Sequence, residues 1–116
     1  MNPQLFISAD LGHQHLFSFD LESIVRLEGV RNYTRFIPAK GQPVITCRSL
    51  GLYLEQLPQQ FVRVHKSYVI NSRYILGINP HSHSILMTDG TSIPISRRKR
   101  TTIMRLLGKS RLKSTT

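Results

Sequence analysis

Three short polar clusters in this chain hold the residue types from which a recognition chemistry could be built. They are Arg31, Asn32 and Tyr33 within GVRNYTR, His65, Lys66 and Ser67 within RVHKS, and Arg97, Arg98 and Arg100 within SRRKR. Arginine forks to guanine, asparagine and histidine hydrogen-bond to base edges, and lysine or serine holds phosphate, so these are groups that a groove-reading loop requires. Each cluster alone is also open to a plainer reading. The first could be a hairpin turn in which Gly29 and Asn32 take turn geometry, and the ring of His65 could bond a backbone group to shape its loop instead of touching a ligand.

Lys66 breaks a pattern. In FVRVHKSYVIN, residues 61–71, Val62, Val64, Tyr68 and Ile70 share one parity, and Arg63, His65, Ser67 and Asn71 share the other. A straight strand would bury the Lys66 ammonium among valines, at a cost that nothing nearby repays. The expectation is a strand that ends or bulges near His65 and turns Lys66 outward, with parity resuming at Tyr68 and Ile70 in the core. Asn71 is expected to act as a turn or cap residue for the segment that follows, and Ile93 and Ile95 are expected in the core.

Catalytic chemistry finds little support. Asp10, Asp20, Glu22, Glu28, Glu55 and Asp89 are scattered among turns and strand ends, without a pair for general acid and base work. Cys47 has no activating neighbour in sequence and reads as a buried strand cysteine. Phosphate-loop and dinucleotide glycine motifs are absent. His13 with His15, and His81 with His83, form His-x-His pairs that could share a strand face, but no cysteine or well-placed carboxylate completes a ligand set, and turn histidines are the alternative. No enzyme activity, metal or cofactor is expected.

The charge balance points to a polyanionic partner. Sixteen Lys and Arg face six Asp and Glu in 116 residues, a formal net charge of +10, on a chain whose 40% hydrophobic content is globular. Residues 56–88 contain no acid, and residues 97–113 hold eight basic residues and no acid. RRKR lies in a first helical turn, where cations oppose the helix dipole, so an external anion is the simplest compensation. One cysteine cannot form an internal disulfide, and neither a signal peptide nor a membrane-length apolar run is seen, which predicts a soluble, cytoplasmic protein without membrane association.

The elements that must position the clusters are mostly short strands in a meander-like, antiparallel body: residues 15–20, 24–29, 32–38, 44–48, 74–78, 84–89 and 92–96, together with the 61–71 run. AKGQP, NPHSH and DGT supply turns. SLGLYLEQLP, 49–58, predicts a short helix with Ser49 as cap. RRKRTTIMRLLGKS, 97–110, predicts a second, with Ser96 as cap, Ile103, Leu106 and Leu107 on its apolar stripe and Gly108 as terminator.

The run FVRVHKSYVINSRYILGI resembles the signature of the LytTR DNA-binding domain family. DLESIVRLEGVRNYTRFI is similar to the family's opening, and DGTSIPISRRKRTTIMRLL to its closing segment. Two departures stand out: Val30 and Arg31 occupy positions where the family often has an acidic residue and glycine, and Lys99 stands where a tyrosine is common. The resemblance implies a mainly β fold, an elongated stack of small antiparallel sheets with short helical turns and a C-terminal helix, in a domain over residues 1–108 followed by a basic, flexible tail at 109–116. It implies a bacterial transcription regulator, such as the output domain of a two-component response regulator, that binds double-stranded DNA by placing loops in successive major grooves and bending it. Arg31, Asn32, Tyr33, His65, Lys66, Ser67, Arg97, Arg98 and Arg100 become the expected DNA-binding residues, with Lys66 and Arg97 on base edges and Arg31, Ser67 and Arg98 on phosphates. A homodimer on paired sites and a sensor or receiver partner are compatible with the family. The competing reading is a basic β module that binds RNA or an acidic protein without an operator. RNA recognition by stacking favours exposed aromatics, and the few here mostly hold apolar parity positions.

Overall fold

The structure, a computed structural model, describes residues 20–111, with side chains described through residue 107. The expected strand at 15–20, apart from Asp20, and the pair His13 and His15 lie outside the described residues. After a 3₁₀ turn at Leu21–Ser23, whose start Asp20 caps by accepting from the Glu22 amide, come β1 (Ile24–Val30), β2 (Tyr33–Pro38), β3 (Val44–Thr46) and α1 (Leu50–Leu54). Then follow β4 (Phe61–His65), β5 (Tyr68–Asn71), β6 (Ile75–Asn79), β7 (Ser84–Met87), β8 (Ser92–Pro94) and α2 (Arg100–Arg111), the last entered through a 3₁₀ turn at Arg97–Lys99.

The strands form two antiparallel sheets, one in the order β3-β2-β1-β5-β4 and one in the order β6-β7-β8. A simple meander would have set β4 beside its chain predecessor. Instead β5 pairs with β1 and leaves β4 at the edge, because the 61–71 hairpin turns back with its second strand innermost. β1 therefore pairs with both β2 and β5, and the hairpins carrying the first two polar clusters hang from one central strand.

Consecutive residues of a strand point to opposite faces, and both faces of the larger sheet are covered. Val69 joins Ile24, Leu27, Phe36, Phe61 and the α1 residues Leu50 and Tyr53 on one side. Ile70 joins Val25 and Val64 on the other, packed on Ile85, Met87, Ile93 and Ile95 of the smaller sheet and its exit, and on Ile103 and Leu107 of α2. A bulge in β1 between Ile24 and Arg26 absorbs one residue, which is how Ile24 and Leu27, three apart, reach the same core. The rings of Phe36 and Tyr53 meet edge to face at 5.0 Å, worth about 1 kcal/mol beyond their buried area.

Three buried polar side chains of the larger sheet and α1 are paired, as is Asn71. The hydroxyl of Tyr53 donates to Thr46 Oγ1 at 2.8 Å, and Thr34 Oγ1 donates to the Arg48 carbonyl at 2.7 Å, tying α1 and β3 to β2. Asn71, fully buried, donates to the Ile24 carbonyl and accepts from the Arg73 amide, so it caps the 3₁₀ turn Ser72–Tyr74 as its sequence position predicts.

Several sequence expectations are corrected. Cys47 is exposed, because β3 ends at Thr46 and the chain leaves the sheet there. Leu106 is 55% exposed, and the buried stripe of α2 is Ile103 and Leu107 with Met104 beside it. Ser49 and Ser96 occupy cap positions with no side-chain capping bond. α1 stops at Leu54, and α2 runs through Gly108, the expected terminator, to Arg111. Among the described residues, no helix is long and apolar enough to cross a membrane.

Candidate nucleic-acid interface

The first cluster sits on the tightest part of the β1–β2 hairpin. Val30 pairs with Tyr33, which leaves Arg31 and Asn32 as the connection, and all four are exposed. Arg31 holds φ +58, the left-handed region that favours glycine and costs other residues about 1–2 kcal/mol. The turn is thus made by Arg31 and Asn32, as expected for Asn32, with Arg31 taking the positive φ, whereas Gly29 lies within β1. Gly29 instead serves the packing of α1, since a side chain there would put Cβ 3.2 Å from Leu50 Cδ2, and its absence lets the helix close on β1. Its amide also donates to the Ser67 carbonyl at 2.8 Å, which binds the first turn to the second.

The second cluster resolves the anomaly at Lys66 as its pattern predicts. The register of β4 against β5 shifts between Arg63 and His65, and His65 pairs with Tyr68 across Lys66 and Ser67. Lys66 is exposed while Val64 and Ile70 stay in the core. The turn is braced from within. The Ser67 amide donates to His65 Nδ1 at 3.1 Å, and the His65 ring lies 5.5 Å from that of Tyr68. Of the two readings of His65, the loop-shaping one describes its Nδ1. Arg63 donates from Nη2 to the Lys66 carbonyl at 2.7 Å and from Nε to the His65 carbonyl at 3.4 Å.

The third cluster reaches the same place through one backbone bond. The Ser96 amide donates to the Val64 carbonyl at 2.8 Å, and the Lys99 amide closes a turn onto the Ser96 carbonyl. Arg97 and Arg98 are exposed, whereas Arg100 is half-buried, with its Nε enclosed and unpartnered among the described residues.

Two grooves meet at Lys66. One, of about 370 Å³, is lined by Arg31, Ser49, Arg63, Lys66 and Ser67 among others. The second, of about 360 Å³, is lined by Arg63, Lys66, Ser96, Arg98 and Lys99. The fold thus gathers Arg31, Lys66, Ser67 and Arg98 from the three clusters onto one surface. Asn32, Arg97 and Arg100 line neither groove, and Tyr33 faces an apolar recess with Val30, Arg35 and Ile45. Arg63 and Lys99 belong to the surface without having been singled out. Arg63 was legible only as a basic residue in an acid-free stretch, since its role depends on which carbonyls the turn brings beneath it.

Glu22, Glu28 and Asp89 are engaged elsewhere. Arg26 pairs with Asp89 at 2.7 Å and with Glu28 at 2.9 Å, Glu28 also holds Arg35, and Glu22 lies 3.5 Å from Arg73. Burial opposes the charge on Arg26, but the two carboxylates outweigh it and drive its pKa up. Burial of Asp89 likewise opposes its charge, and the bonds from Arg26 and the Thr91 amide outweigh it, so its pKa is lowered. No described salt bridge takes up Arg31, Arg63, Lys66, Arg98 or Lys99. These cations repel one another across the grooves, and an anion seated between them relieves the repulsion. Among the described residues there is no group of three or more His, Cys, Asp or Glu able to hold a metal ion, and His81 and His83 lie in the segment between β6 and β7.

A family model described as the LytTr DNA-binding domain matches residues 14–108. Over 47 residues the chain is 43% identical to the sensory transduction protein LytT of Bacillus subtilis strain 168. That stretch is 37% of this chain and 20% of that protein's length. The fold is similar to the LytTr DNA-binding domain of a methyl-accepting/DNA response regulator from Bacillus cereus, with a TM-score of 0.71 and 23% identity over 90% of this chain and 94% of that one.

Proposed function

The chain belongs to the LytTR DNA-binding domain family, and from that premise we propose that it binds operator DNA sequence-specifically as the output domain of a cytoplasmic bacterial transcription regulator. The observation that carries this reading is the convergence of Arg31, Lys66, Ser67 and Arg98, from three turns, on two grooves that share Lys66 and have no acid among the described residues lining them. Phosphate contacts fix register and base contacts specify sequence. Arg31, Ser67 and Arg98 hold backbone phosphates, while Lys66 and the exposed Arg97 reach base edges. Asn32 and Tyr33, at the tip of the first hairpin, extend the same footprint.

The turns enter successive major grooves and the DNA bends between them. Two copies occupy paired sites, and a sensor or receiver partner supplies the signal. The unit that binds is residues 1–108, with the basic residues of 109–116 adding nonspecific attraction.

The test is a selection from random double-stranded DNA, followed by titration of the enriched site against scrambled DNA and RNA at physiological salt. The expected result is a motif bound at least about a thousandfold more tightly than scrambled DNA. A circular-permutation mobility assay on that motif should show a bend. Uniform, steeply salt-dependent binding to every polyanion would overturn the reading and favour a basic module without an operator.

A further inference from the structure

We infer that Arg63 is a positioning residue for sequence reading: it fixes the Lys66 turn from behind without itself holding DNA. The inference rests on the DNA-binding reading above and deepens it.

Lys66 is an exposed side chain on a two-residue connection, and a lysine stem has four rotatable bonds. Such a group discriminates between bases only when its backbone is held. Arg63 is built to hold it. Its planar guanidinium forks onto two consecutive carbonyls, Lys66 at 2.7 Å and His65 at 3.4 Å. Its stem lies on β4, whose register shift brings those carbonyls within reach. The Ser67 amide is held separately by His65 Nδ1, and the Ser67 carbonyl by the Gly29 amide. Polar backbone groups of His65, Lys66 and Ser67 are thus satisfied inside the protein, with Arg63 supplying two of the bonds.

Arg63 also forms part of both grooves, between the Arg31 side and the Arg98 side. Its positive charge adds to the field there, but Nε and Nη2 face protein carbonyls. A lysine in its place would keep the charge and lose the fork, which makes the two contributions separable.

The experiment compares the full chain with Arg63→Lys and Arg63→Met on the selected operator and on scrambled duplex, each across a salt series. Hydrogen exchange of the Lys66 and Ser67 amides is followed in the free proteins. Arg63→Met should lose tenfold or more on the operator and less than threefold on scrambled DNA, and amide exchange in the turn should quicken. Arg63→Lys should narrow the operator preference similarly while keeping the wild-type salt slope. Equal losses on both DNAs, with the slope of log affinity against log salt reduced by about 0.9 in Arg63→Met and restored in Arg63→Lys, would make Arg63 a phosphate contact and overturn the inference. So would unchanged preference and unchanged exchange in both variants. If the wild-type chain itself showed no operator preference, the DNA reading would fail. Quickened exchange at Lys66 and Ser67 would then still show Arg63 holding the turn, and unaltered exchange would overturn that as well.

Discussion

The turns at Arg31–Asn32 and Lys66–Ser67 connect strands of the same sheet, each across two residues, yet they are made in opposite ways. The second is cross-braced by Arg63 and His65 and keeps its exposed lysine on a fixed backbone. The first places an arginine at φ +58 and exposes both connecting residues. A fixed backbone suits discrimination between bases, where an error of an ångström matters. An exposed cation on a strained turn suits attraction to phosphate, which tolerates adjustment. The difference teaches that a shared positive charge need not mean a shared role.

Breaking the comparison at its strongest point means removing Lys66. Lys66→Ala should weaken operator binding by about 1–3 kcal/mol and affect scrambled DNA much less. The midpoint of thermal unfolding should stay nearly unchanged, because the side chain is exposed. Arg31→Ala, measured in parallel by salt titration, should weaken both DNAs alike and lower the salt slope by about 0.9. Matching profiles for the two variants would erase the distinction.

A smaller effect is expected from His65→Phe, which keeps a ring beside Tyr68 but removes the acceptor for the Ser67 amide. Denaturant unfolding should register a loss of about 1 kcal/mol, with operator preference reduced more than general affinity. Arg31→Gly should do the reverse in stability. It relieves the left-handed strain but gives the unfolded chain more freedom, for a net gain of roughly 0.5 kcal/mol, while DNA affinity falls with the lost charge. A destabilised Arg31→Gly protein would show that the turn is not strained.

The smallest effect tests whether the shared strand matters. Asp89 anchors Arg26 of β1, and its pKa is lowered in the folded protein. Its contribution is therefore present above the unfolded pKa of about 3.9 and is lost as pH falls through the lower folded value. Asp89→Asn should lower the unfolding midpoint at neutral pH, and the gap from wild type should close in acid below about pH 4.

Much of this was legible in the chain. Alternation located the strands, and the single misfit at Lys66 announced a bulge because an unpaired ammonium does not fit among valines. Asn71 was readable as a cap. The pairing order was not, since alternation tells which face a residue occupies and nothing about which strand lies beside it. Cys47 and Leu106 were misread for a related reason: exposure depends on where a sheet or helix runs out of neighbours. At the candidate site, residue types named Lys66 and Arg98, but Arg63 and Lys99 joined it only through the fold. Arg100 had the right type but sits half-buried and lines neither groove.

The bond from the Ser96 amide to the Val64 carbonyl has a consequence for neighbouring copies. β4 forms one border of the larger sheet, and an unsatisfied border strand is a template on which another molecule can add a strand. Ser96 occupies a carbonyl of that border, and the opposite border, β3, is only three residues long. Copies that approach one another edge to edge thus meet blunted margins and are discouraged from zipping into a shared sheet.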